Sequence, residues 1–577
     1  MEIFLFFFVS SIILVFSGRF FLNRLGSNFN KNEFSLSEQG LFGIIFFSFL
    51  SLLLNFFFKI DQVLSTIILI FPILQFILEF KKINSKFLIK LIKHTILIAL
   101  ISAIFISYDN VNRPDAGIYH LPYIKIINEF KIFSGVVSLN PVFGATSILQ
   151  YTSAIFNNLI FKDIGITIPL AILTIYLIEY FISQILKKKN NSFYRLFLFL
   201  IITYIFLEMN RYSEYGNDNP AHLILFYFLT LIFKDDFKIN LALNFKILTL
   251  ISVFIFLNKV FFFLIVLFPL VIWFKNKFFL SKKFFPIFSI FFFSIWIIKN
   301  IFISGCAIYP VSFTCNEKLS WYSNDAKFII SAKNLSQFSE LHAKNWSKIV
   351  DKNQFTNYQK NKKEKENYLQ GFNWLNSDNL SKNAKFGFIK IFNNYILLIL
   401  IVFITFMVNY EYKKKTKIKL NFEKKLILFI SISSILISLY KFPLGRYATS
   451  YYVVIIFFSL YFLFKDKFNF QKERKIIKLF SIILFIAGSI FIIKNLNRVV
   501  ENINTAYYQA PWPRIYENKS DVKNLGSNAN RPQIFNYELK SNILKIYYIN
   551  KFNYWTSDRS VTCMYNLSPC AQTGNNF

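Results

Sequence analysis

The sequence predicts an all-α polytopic membrane protein with about 14 transmembrane helices. Composition is the first observation: 55% of the 577 residues are hydrophobic and mean hydropathy is +0.44, against roughly 45–50% apolar in soluble domains. Clustering is the second. The excess sits in blocks of about 17–22 residues, the length that crosses roughly 30 Å of hydrocarbon as a helix. Charge is the third: lysines fall in short links between the blocks, the signature of the positive-inside rule.

The blocks include Leu41–Phe58, Leu64–Phe80, Ile164–Leu186, Phe284–Ile303, Tyr395–Val408 and Ile476–Ile493. Met1–Gly18 lacks a basic start and a small-residue cleavage site, so it reads as a retained first span and not a signal peptide. The 77 Phe, with abundant Lys, Asn and Ile, fit an A+T-rich bacterial genome and carry no functional information. A net charge of +34 in a soluble protein points to nucleic acid. Here no basic stripe interleaved with aromatics lies outside the links, so no nucleic-acid partner is expected and the lipid bilayer is the partner of the charge. No Gly-rich phosphate loop and no GxSxG motif occurs, and with no nucleotide site evident the chain does not read as an ATP-driven pump.

Topology follows from the links. Lys81–His94, Lys187–Lys189, Lys275–Lys283, Lys413–Lys425 and Lys465–Lys478 are assigned to the cytoplasm. Neighbouring links are separated by even numbers of spans, with a tight outer turn near Asn258 and a weak inner link at Lys234–Lys238. The polar segments Tyr108–Lys162, Asn210–Pro220, Ser304–Lys385, Lys441–Ala448 and Lys494–Phe577 then fall outside, and so do both termini. The expected divisions are N-terminal helices over 1–107, a first outer loop with interfacial helices over 108–163, and central helices over 164–303. A large outer loop over 304–386, C-terminal helices over 387–493 and an outer tail over 494–577 follow. All four cysteines, Cys306, Cys315, Cys563 and Cys570, lie in outer segments, as disulfides in an oxidising compartment require. Cys306 with Cys315 and Cys563 with Cys570 are the local pairings, although four cysteines allow three connectivities.

Three constellations carry chemistry. Arg113-Pro114-Asp115-Ala116-Gly117-Ile118-Tyr119-His120-Leu121-Pro122 follows the fourth span and sets an acid, an aromatic and a histidine at the outer surface. Asp115 either acts as a general base or metal ligand, or caps the helix that begins near Pro122. Arg211 to His222 holds Glu214 and Asp218 against the start of a span near Pro220. Two acidic outer loops of this kind suit acid–base work, or a divalent metal at Asp115 and Asp218, if they meet over one cavity. The third constellation is basic: Lys259, Lys299 and Arg446, the last followed by Tyr447. Arg suits a phosphate because its planar fork donates two parallel hydrogen bonds; the alternative is snorkelling to headgroups. The tail segment Tyr507–Tyr516, with Trp512 among prolines, offers a sugar-stacking surface or ordinary packing.

In these residues the chain resembles GT-C-type membrane glycosyltransferases, the superfamily of the protein mannosyltransferases and aminoarabinose transferases. Asp115 to Pro122 resembles their first outer loop, an Asp followed by Tyr-His-x-Pro. Trp296 to Pro310 resembles a second pattern, an aromatic and a basic-Asn pair before Gly-Asn-Pro-x-Tyr-Pro. Gly445-Arg446-Tyr447 resembles a third, an Arg-Tyr pair opening a late span. The resemblance covers Tyr108 to Phe464, with the first three spans as an extension. Lys299 stands where Arg is usual, Cys306 and Ala307 where Asn and Pro are usual, and no motif fixes Asp218 as the second acid.

The resemblance implies a bacterial inner-membrane enzyme with its active site facing the exterior. It would move a sugar from a polyprenyl-phosphate donor to a glycan or lipid acceptor of the envelope. Asp115 and Asp218 are the implied catalytic residues. Arg113, Tyr119, His120, Glu214, Lys259, Lys299, Arg446 and Tyr447 are the implied donor- and acceptor-binding set. Two rivals differ in what they require. A surface-polysaccharide polymerase or ligase relies on outer arginines, which are few here. A lipid-linked sugar flippase needs charges inside spans, where only Glu179 and Lys246 stand out.

Overall fold

In a computed structural model of the chain, the apolar blocks fold as helices packed into one hydrophobic core. The structure describes residues 2–26, 34–80, 85–108, 119–138, 141–187, 190, 192–208, 218–234, 241–319, 321, 336–337, 339–341, 343–344, 362–375, 421–464, 470–503, 533–537, 552–556 and 570–571. The expected span Tyr395–Val408, the part of the inner link over 413–420 and the segment Tyr507–Tyr516 lie outside the described residues.

Four helices open the chain: α1 (Glu2–Leu25), α2 (Leu36–Asn55), α3 (Gln62–Phe80) and α4 (Ser85–Tyr108). A capping box starts α2, in which Ser35 accepts from the Glu38 amide and Glu38 accepts from the Ser35 amide. Short helices α5 (Leu121–Glu129) and α6 (Leu149–Phe156) follow. Pro122 sits in the first turn of α5, where its missing N–H costs no hydrogen bond. The central helices are α7 (Ile168–Leu186), α8 (Ser192–Glu208), α9 (Asp218–Phe233), α10 (Leu241–Asn258), α11 (Leu267–Lys275) and α12 (Ile287–Ser304). Gly305, at φ 75°, ends α12 in the left-handed conformation that glycine adopts without strain. Beyond the large loop, with its short helix α13 (Lys362–Leu369), come α14 (Phe422–Lys441), α15 (Gly445–Phe464) and α16 (Phe470–Ile503).

Among the described residues six helices are long and apolar enough to cross a membrane, and six shorter apolar helices accompany them. The membrane body is all-α. In the tail, β1 (Gln533–Tyr537) pairs antiparallel with β2 (Phe552–Thr556), and β2 pairs parallel with β3 (Cys570–Ala571). These strands were not expected from the sequence.

Lipid does not drive helices together by apolar burial, so close packing needs small residues. A Cβ on Gly18 would strike the Gln39 carbonyl oxygen, and one on Gly43 the Leu14 carbonyl oxygen. The two glycines therefore let α1 and α2 touch backbone to backbone. Large apolar side chains exposed on α3, α4, α12 and α14, such as Ile67, Phe71, Ile96, Ile298 and Phe429, form the outer belt.

The contacts sort the helix ends into two groups. At one end Ile60 N donates to Ile127 O, Ile148 N to Leu257 O and Gly135 N to Phe302 O. Lys259 pairs there with Asp218, and its ammonium lies 3.9 Å from the Tyr447 ring centroid. The opposite end holds Glu38 with Tyr227 (3.0 Å), Lys275 over Phe422 and Arg195 on the Lys187 carbonyl. Residues from Tyr108–Lys162, Asn210–Pro220 and Lys441–Ala448, all assigned outside by charge, meet in the first group.

Candidate functional site

The first end of the bundle gathers chemistry from distant segments. Asp218 is the first residue of α9, where a carboxylate complements the helix dipole. Lys259 follows the last residue of α10 and forms an ion pair with Asp218. Neither is sealed: the side chains are 27% and 16% exposed. Tyr447, in the first turn of α15, covers the ammonium with its ring, a cation–π contact at 3.9 Å. Three of the implied residues, Asp218, Lys259 and Tyr447, therefore stand together; the acidic loop of Asp115, expected to meet that of Asp218, lies outside the described residues. Asp115 is also the other carboxylate of the divalent-metal reading; among the described residues there is no group of three His, Cys, Asp or Glu that could hold a metal.

Beside this pair lies His120, 3% exposed, with the Tyr119 ring 4.1 Å away. Gln150 on α6 approaches it twice: Nε2 lies 3.1 Å from His120 Nδ1 and 3.4 Å from the His120 carbonyl. Gln150 is held in turn by the Ser147 amide, which donates to Oε1 at 3.0 Å. Ser147 Oγ donates to Asn258 Oδ1 at 2.6 Å, tying this turn to the end of α10 immediately before Lys259. Burial, and next the positive charge of Lys259, push the imidazole down to about 3. His120 is thus neutral at any physiological pH. Gln150, Ser147 and Asn258 were not singled out in the sequence; amides and hydroxyls are too common there to signal a role.

Lys299 behaves differently from its expectation. It is fully buried, neither snorkelling nor facing a surface where a phosphate could dock. Its ammonium donates to Thr146 Oγ1 at 2.9 Å and lies 3.6 Å from the Trp296 ring centroid. Trp296 packs edge-on against Tyr151, whose hydroxyl is 3.3 Å from that of Tyr123. Lys299 is part of the packed wall behind the site.

Arg113, Asp115 and Glu214 lie outside the described residues. Arg446 belongs to the first turn of α15, beside Tyr447, and its side chain lies outside the described residues. Cys306 and Cys315 form the expected disulfide, which closes a loop at the end of α12 with Tyr309 packed over Gly144. Cys563 lies outside the described residues, so its pairing with Cys570 stays an expectation. In the large loop Glu340 pairs with Lys344 at 2.7 Å and with Lys441, the last residue of α14, at 2.9 Å.

A family model for a domain of unknown function, DUF8201, matches residues 1–453. The chain belongs to that family. The DUF8201 match spans Asp115, Asp218, Lys259, Lys299 and Tyr447, so the whole candidate site falls inside the shared unit. The match also takes in the first three helices. No curated protein and no solved structure matches the chain.

Proposed function

We propose that this DUF8201 member is a membrane glycosyltransferase of GT-C type, moving a sugar from a polyprenyl-phosphate donor to an envelope acceptor at the extracytoplasmic face. The observation that carries the reading is the convergence of His120, Asp218, Lys259 and Tyr447, from four separate segments, in a partly exposed polar cluster at one end of an apolar bundle. The Cys306–Cys315 bridge at the same end supports an oxidising compartment there, and the lysine-rich links support a cytoplasmic location for the other end.

In this reading the donor lipid lies in the bilayer and its phosphate and sugar reach the cluster. Asp115 takes the proton of the acceptor hydroxyl as that oxygen attacks the anomeric carbon, and the bond to the lipid phosphate breaks with its electrons leaving on the phosphate oxygen. Lys259, with Arg446 in the same turn region as Tyr447, neutralises that charge as it develops, a preorganised electrostatic role. Asp218 aims Lys259. The test is transfer of labelled sugar from a panel of polyprenyl-phosphate hexoses by the protein in proteoliposomes. Asp115→Asn should abolish transfer with insertion intact; wild-type rates in that variant would defeat the assignment.

A second reading, a lipid-linked sugar flippase, draws on Glu38 and Glu179, neighbouring carboxylates inside the bundle held by Tyr227 and Ser37. It predicts that lipid translocation survives Asp115→Asn and is lost in Glu179→Gln.

A further inference from the structure

Helix α4 carries its charge at the end where a helix tolerates it least. Residues turn by roughly 100° each along a helix, so Lys86, Lys90 and Lys93 fall within an arc of about 60° and climb about 10 Å along the axis. All three are exposed. The other side of α4 faces the bundle: Leu91, Thr95 and Ile98 are buried, Phe87 lies 5.3 Å from the Arg19 guanidinium of α1, and His94 stacks on Tyr176 of α7 with centroids 6.0 Å apart. The first turn of α4 holds no acid, and the sequence has none from Lys81 to Tyr108. The amino-terminal end is the positive end of the helix dipole, so these cations are repelled by it as well as by one another. Arg19, Lys90 and Lys93 form no ion pair among the described residues. Glu179 of α7 lies within electrostatic reach of Lys90, but its Oε2 already accepts from the Ser37 hydroxyl, and Lys187 draws on the same charge.

Whatever answers this charge meets an apolar surface too. Leu97 and Leu100 continue the lysine stripe toward the middle of the helix, flanked by Ile92 and Ile96, and all four are exposed. The polar headgroup layer is roughly 5–8 Å deep on each side of about 30 Å of hydrocarbon. A stripe about 10 Å tall passes through that layer, with Lys93 at its lower edge extending back toward the headgroups. A soluble anion would meet the lysines and not the leucines, and a zwitterionic headgroup brings an ammonium of its own. We infer that the seam of Arg19 on α1 with Lys90 and Lys93 on α4 holds the phosphate of an anionic phospholipid, whose acyl chains run down the leucine and isoleucine face of α4. The Arg19 fork is suited to two phosphate oxygens and the lysines act as point charges. This site lies at the end of the bundle opposite His120, Asp218 and Lys259, and it is independent of sugar transfer.

The test uses the full chain in nanodiscs of phosphatidylcholine, alone or with phosphatidylglycerol. Two matched double variants are compared with wild type: Lys90→Gln with Lys93→Gln, and Lys282→Gln with Lys283→Gln, whose lysines are also exposed. Native mass spectrometry reads the phosphatidylglycerol that the protein retains. Wild type and the Lys282 and Lys283 variant should retain it alike, whereas the Lys90 and Lys93 variant should need at least about tenfold more lipid. Phosphatidylglycerol should raise the melting temperature of the wild type and leave that of the Lys90 and Lys93 variant unmoved. In phosphatidylcholine alone that variant should melt no lower than wild type, because like charges at the positive end of α4 have been removed. Equal loss of lipid in the two double variants would make the charge a diffuse one and overturn the site. So would phosphatidylcholine retained as tightly as phosphatidylglycerol, or inorganic phosphate stabilising the wild type as much as the lipid does.

Discussion

The Asp218–Lys259 pair can be tested as a unit by a double-mutant cycle of Asp218→Asn, Lys259→Met and both together. With side chains 27% and 16% exposed, the pair lies between two known regimes. Exposed pairs contribute about 0–1 kcal/mol, whereas removing one partner of a fully buried pair costs about 3–5 kcal/mol because the other charge is stranded. Asp218→Asn should therefore cost about 1–3 kcal/mol. Lys259→Met should cost a similar amount, since it removes the charge paired with Asp218 and also the contact to Tyr447, worth about 0.5–2 kcal/mol. The double variant should be less damaged than the sum of the singles by at least about 1 kcal/mol. Reversible unfolding in mixed micelles gives the three values. Single-variant costs that add to within about 0.5 kcal/mol would refute coupling and, with it, the role of Asp218 in aiming Lys259. The same proteins decide the chemistry. If Asp218 only aims Lys259, Asp218→Asn slows sugar transfer about as much as Lys259→Met. If it is the second catalytic acid, Asp218→Asn alone abolishes transfer.

Two further outcomes follow from burial. Lys299→Met keeps the shape of the side chain and removes an ammonium that, among the described residues, is answered by Thr146 and Trp296; since desolvating an ion costs several kcal/mol, the variant should be as stable as wild type or more so in thermal unfolding, and it should transfer sugar normally. Destabilisation beyond about 2 kcal/mol would show that the wall needs the charge. His120 is held down to about 3 in the folded chain against an ordinary 6.5, so the unfolded chain binds the extra proton between those values. Its contribution to stability is complete above about 6.5 and is lost as pH falls, by at most about 1.4 kcal/mol per pH unit. The melting temperature of the wild type should fall more steeply from pH 7 to 5 than that of His120→Asn, and equal slopes would contradict it.

Much of the bundle was legible because the bilayer leaves so few options. Backbone groups in lipid must bond within the helix, so a block such as Ile164–Leu186 has one outcome, and the helix found there, Ile168–Leu186, departs only in a tight first turn. The Cys306–Cys315 bridge was legible because the two residues are nine apart in one loop. What the sequence hid depends on rotation about each helix axis. Lys299 and Ile298 are adjacent in the chain, yet one is fully buried and the other 46% exposed. A charge near a span end looks the same whichever way it faces, and so Lys299 read as a headgroup or phosphate ligand.

The site itself was half legible for a different reason. Charged and aromatic residues at span ends stand out from an apolar background, and Asp218, Lys259, His120 and Tyr447 were all visible in that way. The groups that give them direction were not. Gln150 lies in a stretch, Leu149-Gln150-Tyr151-Thr152-Ser153, whose polar members pack inward without exception. Gln150 is the one that hydrogen-bonds to His120 among the described residues, and the turn before it sets that direction, where the Ser147 amide orients the Gln150 side chain. A neutral amide leaves no trace in charge or hydropathy, yet here, with Oε1 accepting from Ser147, its NH2 group faces Nδ1 and leaves Nε2 as the ring nitrogen that donates. The tautomer of His120 is therefore a property of three-dimensional contacts alone, and the ¹⁵N-histidine spectrum of Gln150→Glu, in which the proton should move to Nδ1, probes it where composition, periodicity and charge pattern are all silent.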